Sequence, residues 1–201
     1  RITHADFAPA MLALARAHAH RSDHSDAGGA SDTDTYCAAD IERLPFAAQS
    51  FAVWWSSLAI QWCHADEVFA EAARVLRPGG ALAVSTLGPR TFAELDDAFA
   101  GIDANRHTLP FSEPAAIEDA LKGAGFKNIV LRRETHAVHY PDLKTLLRAV
   151  KAVGAHNVGA GARSGMLGRR AWQRVEAAYE AHRSPVGLPA SYDVIFAYAR
   201  L

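Results

Sequence analysis

Sulfur-containing residues are scarce, with only 2 cysteines and 2 methionines in 201 residues. No apolar run approaches the roughly 18 residues that a membrane-spanning helix requires. Cys37 and Cys63 stand alone, with no C-x-x-C spacing and no histidine at zinc-finger spacing. That pattern argues against a disulfide framework or a structural zinc site and predicts two buried thiols. No Ser/His/Asp or Cys/His nucleophile set, no metal cluster and no G-x-G-x-x-G loop is recognisable. The first residues read as a strand entering a helix and not as a secretory leader, so the cytoplasm is the expected compartment. Half of the residues are hydrophobic, enough for one good-sized core and a small appended subdomain.

The net charge of −1 conceals a division along the chain. Residues 1–121 carry 8 Lys/Arg against 17 Asp/Glu, and residues 122–201 carry 13 against 5. Such segregation reflects solvation in part, and a basic lobe also steers an acidic partner.

Strand and helix signals alternate. Arg1 to Ala5, closed by Asp6, reads as a strand, and Pro9 to Ala19 as a helix with Met11, Leu12 and Ala15 on one face. His20 to Thr35 is rich in Ser, Asp, Gly and His and predicts a solvated loop; in that composition His18, His20 and His24 do not argue for a metal. Tyr36 to Ala39, ending at Asp40, and Phe51 to Ser56 read as further strands, the second apolar enough to be buried on both faces. Asp66 to Leu76 has the inner stripe of a helix, stopped by Arg77-Pro78-Gly79-Gly80, a type II turn sequence. A strand over Ala81 to Thr86 follows, then a helix around Pro114 to Lys122 with Ser112 as its expected N-cap. Strands are expected over Lys127 to Val138 and Ser191 to Leu201. Between them lie helices over Leu143 to Val153 and Ala171 to His182, joined by a link through Gly154, Gly159, Gly161, Gly165 and Gly168. This order predicts an α/β fold with a mostly parallel sheet: a core over 1–141, a helical lid over 142–185 and a final core strand over 186–201.

Three segments carry a resemblance: Asp6-Phe7-Ala8-Pro9-Ala10-Met11-Leu12, Asp40-Ile41-Glu42-Arg43-Leu44-Pro45-Phe46 and Arg74-Val75-Leu76-Arg77-Pro78-Gly79-Gly80. In this order and spacing they resemble motifs of the class I S-adenosylmethionine-dependent methyltransferases. Ser57-Leu58-Ala59-Ile60-Gln61-Trp62-Cys63 and Leu146 to Ala155 most resemble the malonyl-acyl-carrier-protein O-methyltransferases of biotin synthesis. The resemblance implies a Rossmann-like sheet, S-adenosylmethionine as cofactor and a malonyl group on acyl carrier protein as substrate. It implies no nucleic acid, membrane or metal. Another small-carboxylate or RNA methyltransferase is the alternative enzyme, although no aromatic and basic interleaving of the kind that stacks bases is present.

In that family Asp6 and Phe7, Asp40 and Ile41, and Ser57 and Leu58 correspond to cofactor contacts. A carboxylate can accept both hydroxyl protons of a ribose diol, which suits Asp6, and an N-cap role is compatible with it. Asp40 can accept from an adenine amino group while the Ile41 N–H donates to the ring, or Asp40 forms a turn. The backbone carbonyls of Ser57 and Leu58 are placed to meet the methionine end, and Trp62 to line a pocket wall. Methyl transfer to a carboxylate needs no general base, only positioning and exclusion of water, so no catalytic residue is expected. Arg148 and Lys151, three apart on one helical face, are either carboxylate-holding substrate contacts or a solvated basic surface. Arg163, Arg169, Arg170 and Arg174 suit docking of an acidic carrier.

The first segment corresponds to the second strand of that fold, so the central first strand and its glycine-rich loop are not found. Two unpaired edges in mid-sheet are expected. Either the chain is a fragment of a longer protein, or it is a truncated paralogue that acts as an interaction module.

Overall fold

The structure, a computed structural model, describes residues 1–22, 34–102, 108–152 and 167–201. Strand β1 (Thr3–Asp6) leads into helix α1 (Pro9–Ser22), followed by β2 (Thr35–Ala38), β3 (Phe51–Ser57) and a 3-10 turn over Ile60–Trp62. Helix α2 (Ala65–Val75) and β4 (Leu76–Leu87) come next, then α3 (Ala93–Phe99), α4 (Pro114–Gly123) and β5 (Lys127–Tyr140). Helices α5 (Leu143–Ala152) and α6 (Arg169–Glu180) precede the last strand, β6 (Leu188–Arg200).

Two sheets are formed. β1 pairs with β2 in parallel, and the second sheet has the order β3-β4-β6-β5. Among the described residues β1 and β3 are each paired on one side only. The larger sheet is mixed and not mostly parallel: β3 and β4 run together, whereas β6 lies antiparallel between β4 and β5. Strand polarity follows from the connections, since a tight turn through Ser184–Gly187 feeds β6 back along β5.

The main core forms where α2 and α4 pack on the sheet. Val68, Phe69, Ala72 and Val75 of α2 recur at helical spacing and are buried, as are Ile117, Ala120 and Leu121 of α4. All of these except Val75 cluster with Leu82 and Val84 of β4 and Ala197 and Ala199 of β6. A second core gathers Phe92, Leu95 and Ala98 with Leu143, Leu146 and Val150 of α5, Val175 and Tyr179 of α6, and Leu188 and Ala190 of β6. The two helices between β5 and β6 are therefore anchored by their own apolar cluster.

Several expectations change. β3 is not buried on both faces, because Val53 and Trp55 are 59% and 72% exposed. On α1 only Leu12 of the proposed face is buried, and Met11 is exposed. Ser112 does not cap α4: Glu113 is the N-cap, with no side-chain cap bond, and Pro114 opens the helix. The cysteines are half-buried free thiols and not core residues. Helix α3, with Glu94, Asp96 and Asp97 in its seven residues, is a short element that the sequence reading did not resolve. The glycine-rich link from Gly154 to Gly165, most of the His20 to Thr35 loop with His24, and Arg163 lie outside the described residues.

The turn into β6 depends on Gly187. Its φ is +127°, and a Cβ there would stand 2.6 Å from the Tyr140 carbonyl oxygen. Gly187→Ala should lower stability by about 1–3 kcal/mol through backbone strain and displacement of Tyr140, measured by urea denaturation against the unsubstituted chain.

Candidate active site

Asp6, Asp40 and Ser57 stand at or just beyond the carboxyl ends of β1, β2 and β3, where open α/β sheets place their ligands, whereas Arg148 and Lys151 lie on α5. Asp6 ends β1, and its Oδ1 accepts the Ala8 N–H at 2.7 Å, fixing the entry to α1. No other contact engages that carboxylate among the described residues, so Oδ2 remains available to a diol. Phe7 beside it is 83% exposed.

Beyond β2 the chain turns on Asp40. Its Oδ1 accepts the Glu42 N–H at 2.9 Å and its carbonyl accepts the Arg43 N–H at 3.1 Å. This is an Asx turn closed by a backbone turn. It leaves Oδ2 and the Ile41 N–H without hydrogen-bond partners among the described residues. The turn-forming and ligand-accepting roles weighed for Asp40 are thus compatible, each using a different oxygen. The following Leu44-Pro45-Phe46 is held by α2: Arg74 donates to the Leu44 and Phe46 carbonyls and to Glu71, and Glu71 accepts the Leu44 N–H at 2.8 Å. Arg74 bonding holds the Glu71 carboxyl below the usual carboxylate range, against the opposing effect of burial.

The loops after β2 and β3 meet. Glu42 accepts the His64 backbone N–H and stands 3.0 Å from His64 Nδ1. Ile41 packs against the core cluster that includes Ile60, with Cys63 also packed on it. Burial, reinforced by Glu42 and then Asp40, pushes the Cys63 thiol up, so it stays protonated and is no nucleophile. Glu42, His64 and Glu67 place ligand atoms within 4.8 Å of one another. However, His64 is the N-cap of α2 and Glu67 lies in its first turn, where the positive end of the helix opposes a cation. The cluster is a tie between loops.

At the end of β3, Ser57 Oγ lies 3.1 Å from Ser85 Oγ on β4, and the Leu58 N–H donates to the Ser85 carbonyl at 2.9 Å. Leu58 has a φ of +49°, unusual for a side-chain-bearing residue, and turns the chain sharply off the sheet. Its carbonyl already accepts Gln61 Nε2 at 2.7 Å, leaving one lone pair for a ligand. The proposed pair of free carbonyls is therefore reduced. Trp62 closes the 3-10 turn and is 47% exposed.

Arg148 and Lys151 project from α5 as exposed residues with no hydrogen bond or ion pair among the described residues. No hydrogen bond or ion pair links them to the described loops after β1–β3. Arg169 and Arg170 open α6 and are exposed, while Arg174 donates to the Gly101 carbonyl at 3.3 Å.

Sequence reasoning missed one constellation. Asp193, on β6 and fully buried, receives a two-pronged bond from Arg133 of β5 at 2.6 Å to each oxygen. Its Oδ2 also accepts the Arg90 N–H at 3.0 Å, and its carbonyl accepts the Gly88 N–H at 2.7 Å. The segment Gly88–Thr91, just past the carboxyl end of β4, is thereby tied to β6. A lone acid inside an apolar strand was the available signal.

A model described as a methyltransferase domain matches residues 1–84. Among solved structures, phosphoethanolamine N-methyltransferase 2 of Haemonchus contortus in complex with S-adenosyl-L-methionine aligns with a TM-score of 0.53 at 15% identity, over 98% of this chain and 42% of that one. The fold is that of the class I S-adenosylmethionine-dependent methyltransferases. The malonyl-[acyl-carrier protein] O-methyltransferase of Dechloromonas aromatica is 50% identical over 81% of this chain and 62% of its own length. That of Laribacter hongkongensis is 42% identical over 99% of this chain and 67% of its own length. The chain belongs to the malonyl-[acyl-carrier protein] O-methyltransferase family and spans about two thirds of the length of these relatives.

Arg133 bonding is the main cause of a lowered Asp193 pKa, opposed by burial and assisted by the Arg90 N–H. With the folded pKa depressed, the contribution to stability is complete above the unfolded carboxyl value near about 3.9 and is lost as pH falls through the lower folded value. Asp193→Asn should cost about 2 kcal/mol at pH 7, less than a wholly buried pair because Arg133 reaches solvent. In urea melts the gap to the unsubstituted chain should shrink between pH 4 and pH 2.

Proposed function

We propose that this chain forms the adenosine-binding and substrate-facing part of an enzyme that transfers a methyl group from S-adenosylmethionine to the free carboxylate of a malonyl thioester on acyl carrier protein, in the cytoplasm, as a step in biotin precursor synthesis. The observation that carries this reading is the Asp40-Ile41 turn. It is built by Asx geometry and locked to the loop after β3 by Glu42, yet it leaves one carboxylate oxygen and one N–H unused side by side in sequence. An acceptor followed directly by a donor suits an adenine edge. Asp6, with one oxygen engaged and one free, suits a ribose diol.

The residues present thus fit the cofactor: Asp6 and Phe7 toward the ribose, Asp40 and Ile41 toward the base, Ser57 and the remaining lone pair of Leu58 toward the methionine end. When bound, the cofactor supplies an electrophilic methyl group on a sulfonium. The protein's part is to hold and to exclude water. A malonyl carboxylate is ionised at neutral pH, so no residue has to take its proton. Its orientation falls to cationic side chains, and a guanidinium can hold one carboxylate oxygen while the other faces the methyl group. Arg148 and Lys151 are assigned this work on α5, within a helical lid over 142–185, with Trp62 lining the wall. The exposed Arg169, Arg170 and Arg174 provide the surface on which an acidic carrier docks.

Calorimetric titration with S-adenosylhomocysteine tests the cofactor half. Binding is expected, weakened at least tenfold by Asp6→Ala or Asp40→Ala; absence of binding would sink the reading for this chain. In a methyl-transfer assay with malonyl-carrier protein, Arg148→Ala should raise KM or lower kcat at least tenfold with cofactor affinity unchanged. The KM should also rise with salt if the arginines of α6 dock the carrier.

A further inference from the structure

The Asp193 constellation has more fixed points than a loop needs for its own stability. Gly88, Arg90, Thr91 and Phe92 all donate backbone N–H bonds: Gly88 to the Asp193 carbonyl, Arg90 to the Asp193 carboxylate, Thr91 to the Gly88 carbonyl and Phe92 to the Ser191 carbonyl. The Thr91 hydroxyl, wholly buried, accepts the Asp193 N–H at 3.2 Å and lies 3.4 Å from the Asp193 carbonyl. Gly88 is packed so closely that a Cβ would stand 2.6 Å from Asp193 Oδ2. The backbone around Arg90 is therefore tied to β6 at Gly88, Arg90 and Phe92 and closed on itself by the Thr91 N–H, while the Arg90 side chain is exposed, makes no hydrogen bond or ion pair among the described residues, and adds its charge to the field on the Asp193 carboxylate.

That segment begins one residue beyond β4, at the same end of the sheet as Ser57 and Leu58, which bond to Ser85 on the same strand. A tied backbone carrying an exposed guanidinium at the same end of the sheet as Ser57 and Leu58 is pre-organised for an oxyanion. Arg148, by contrast, stands on the exposed face of α5.

We propose that Arg90 is a carboxylate-binding residue of the substrate site, and that Asp193 is a positioning residue that holds Arg90 there through its buried carboxylate. This rests on the reading of the substrate as a malonyl thioester. Arg133 serves the same end indirectly, since its two-pronged bond keeps Asp193 ionised and its oxygens aimed.

Binding, not turnover, separates this inference from the proposed activity. Malonyl-N-acetylcysteamine, which has the carboxylate but no phosphate, and acetyl-N-acetylcysteamine, which lacks both, are titrated into the protein saturated with S-adenosylhomocysteine. The unsubstituted chain should prefer the malonyl compound at least tenfold. In Arg90→Met that preference should collapse to within twofold with an unchanged Tm, and in Asp193→Asn it should fall at least fivefold. Asp193→Asn added to Arg90→Met should cost nothing further in preference, a non-additivity that a merely structural role would not produce. A chain without malonyl preference, an Arg90→Met variant that keeps it, or a loss seen only with the phosphate-bearing carrier substrate would each overturn the assignment. Failure of methyl transfer with the preference intact would instead count against the proposed activity alone.

Discussion

The carboxylate of Asp193 is the constraint on which the ligand end of the larger sheet depends. It is buried, so its charge must be met by partners inside the protein, and it is met by Arg133 on one neighbouring strand and the Arg90 N–H beyond the other. A desolvated charge with incomplete pairing costs several kcal/mol, so the three-way arrangement is held as a unit. Because β6 lies between β4 and β5, one side chain on it reaches both.

On the other side the same logic operates with weaker bonds. The loops after β2 and β3 are joined by Glu42 and His64, and Arg74 and Glu71 fasten Leu44 and Phe46 to α2. These contacts are partly exposed and individually modest. They are numerous enough to keep Asp40 and Ile41 in one conformation while sparing an acceptor and a donor. The strained φ of Leu58 belongs to this set: the Ser85 carbonyl and Gln61 Nε2 hold it on both sides, so the cost is distributed.

Local patterns made much of this readable in advance. The stripes of α2 and α4 contrast sharply with their polar faces, and both helices fall within a residue or two of where those stripes place them. Asp6 and Asp40 were legible because turn-forming acids directly follow strands. The orientation of β6 was not, since it is set by pairing over distances of 100 residues and not by its own composition. Nor was the Asp193 tie, whose partners lie 60 and 103 residues away. Helix α3 escaped notice because seven residues do not complete enough turns for periodicity to emerge from an acidic background. The exposure of Val53 and Trp55, two apart on one face of β3, likewise depends on what packs over that face, a property of the tertiary structure and not of the strand.

The two halves of the site therefore divide by physical type. The side built from β1, β2 and β3 offers neutral or acidic hydrogen-bonding groups freed by local turn geometry, which suits an uncharged base and a sugar. The side proposed on Arg90, α5 and α6 offers guanidinium and ammonium groups, which suits a carboxylate and an acidic carrier; α5 and α6 belong to the basic second half of the sequence, whereas Arg90 belongs to the acidic first half. Cationic groups have no place beside the Asp6 and Asp40 carboxylates, where ion pairing would consume the acceptors a ribose or an adenine needs.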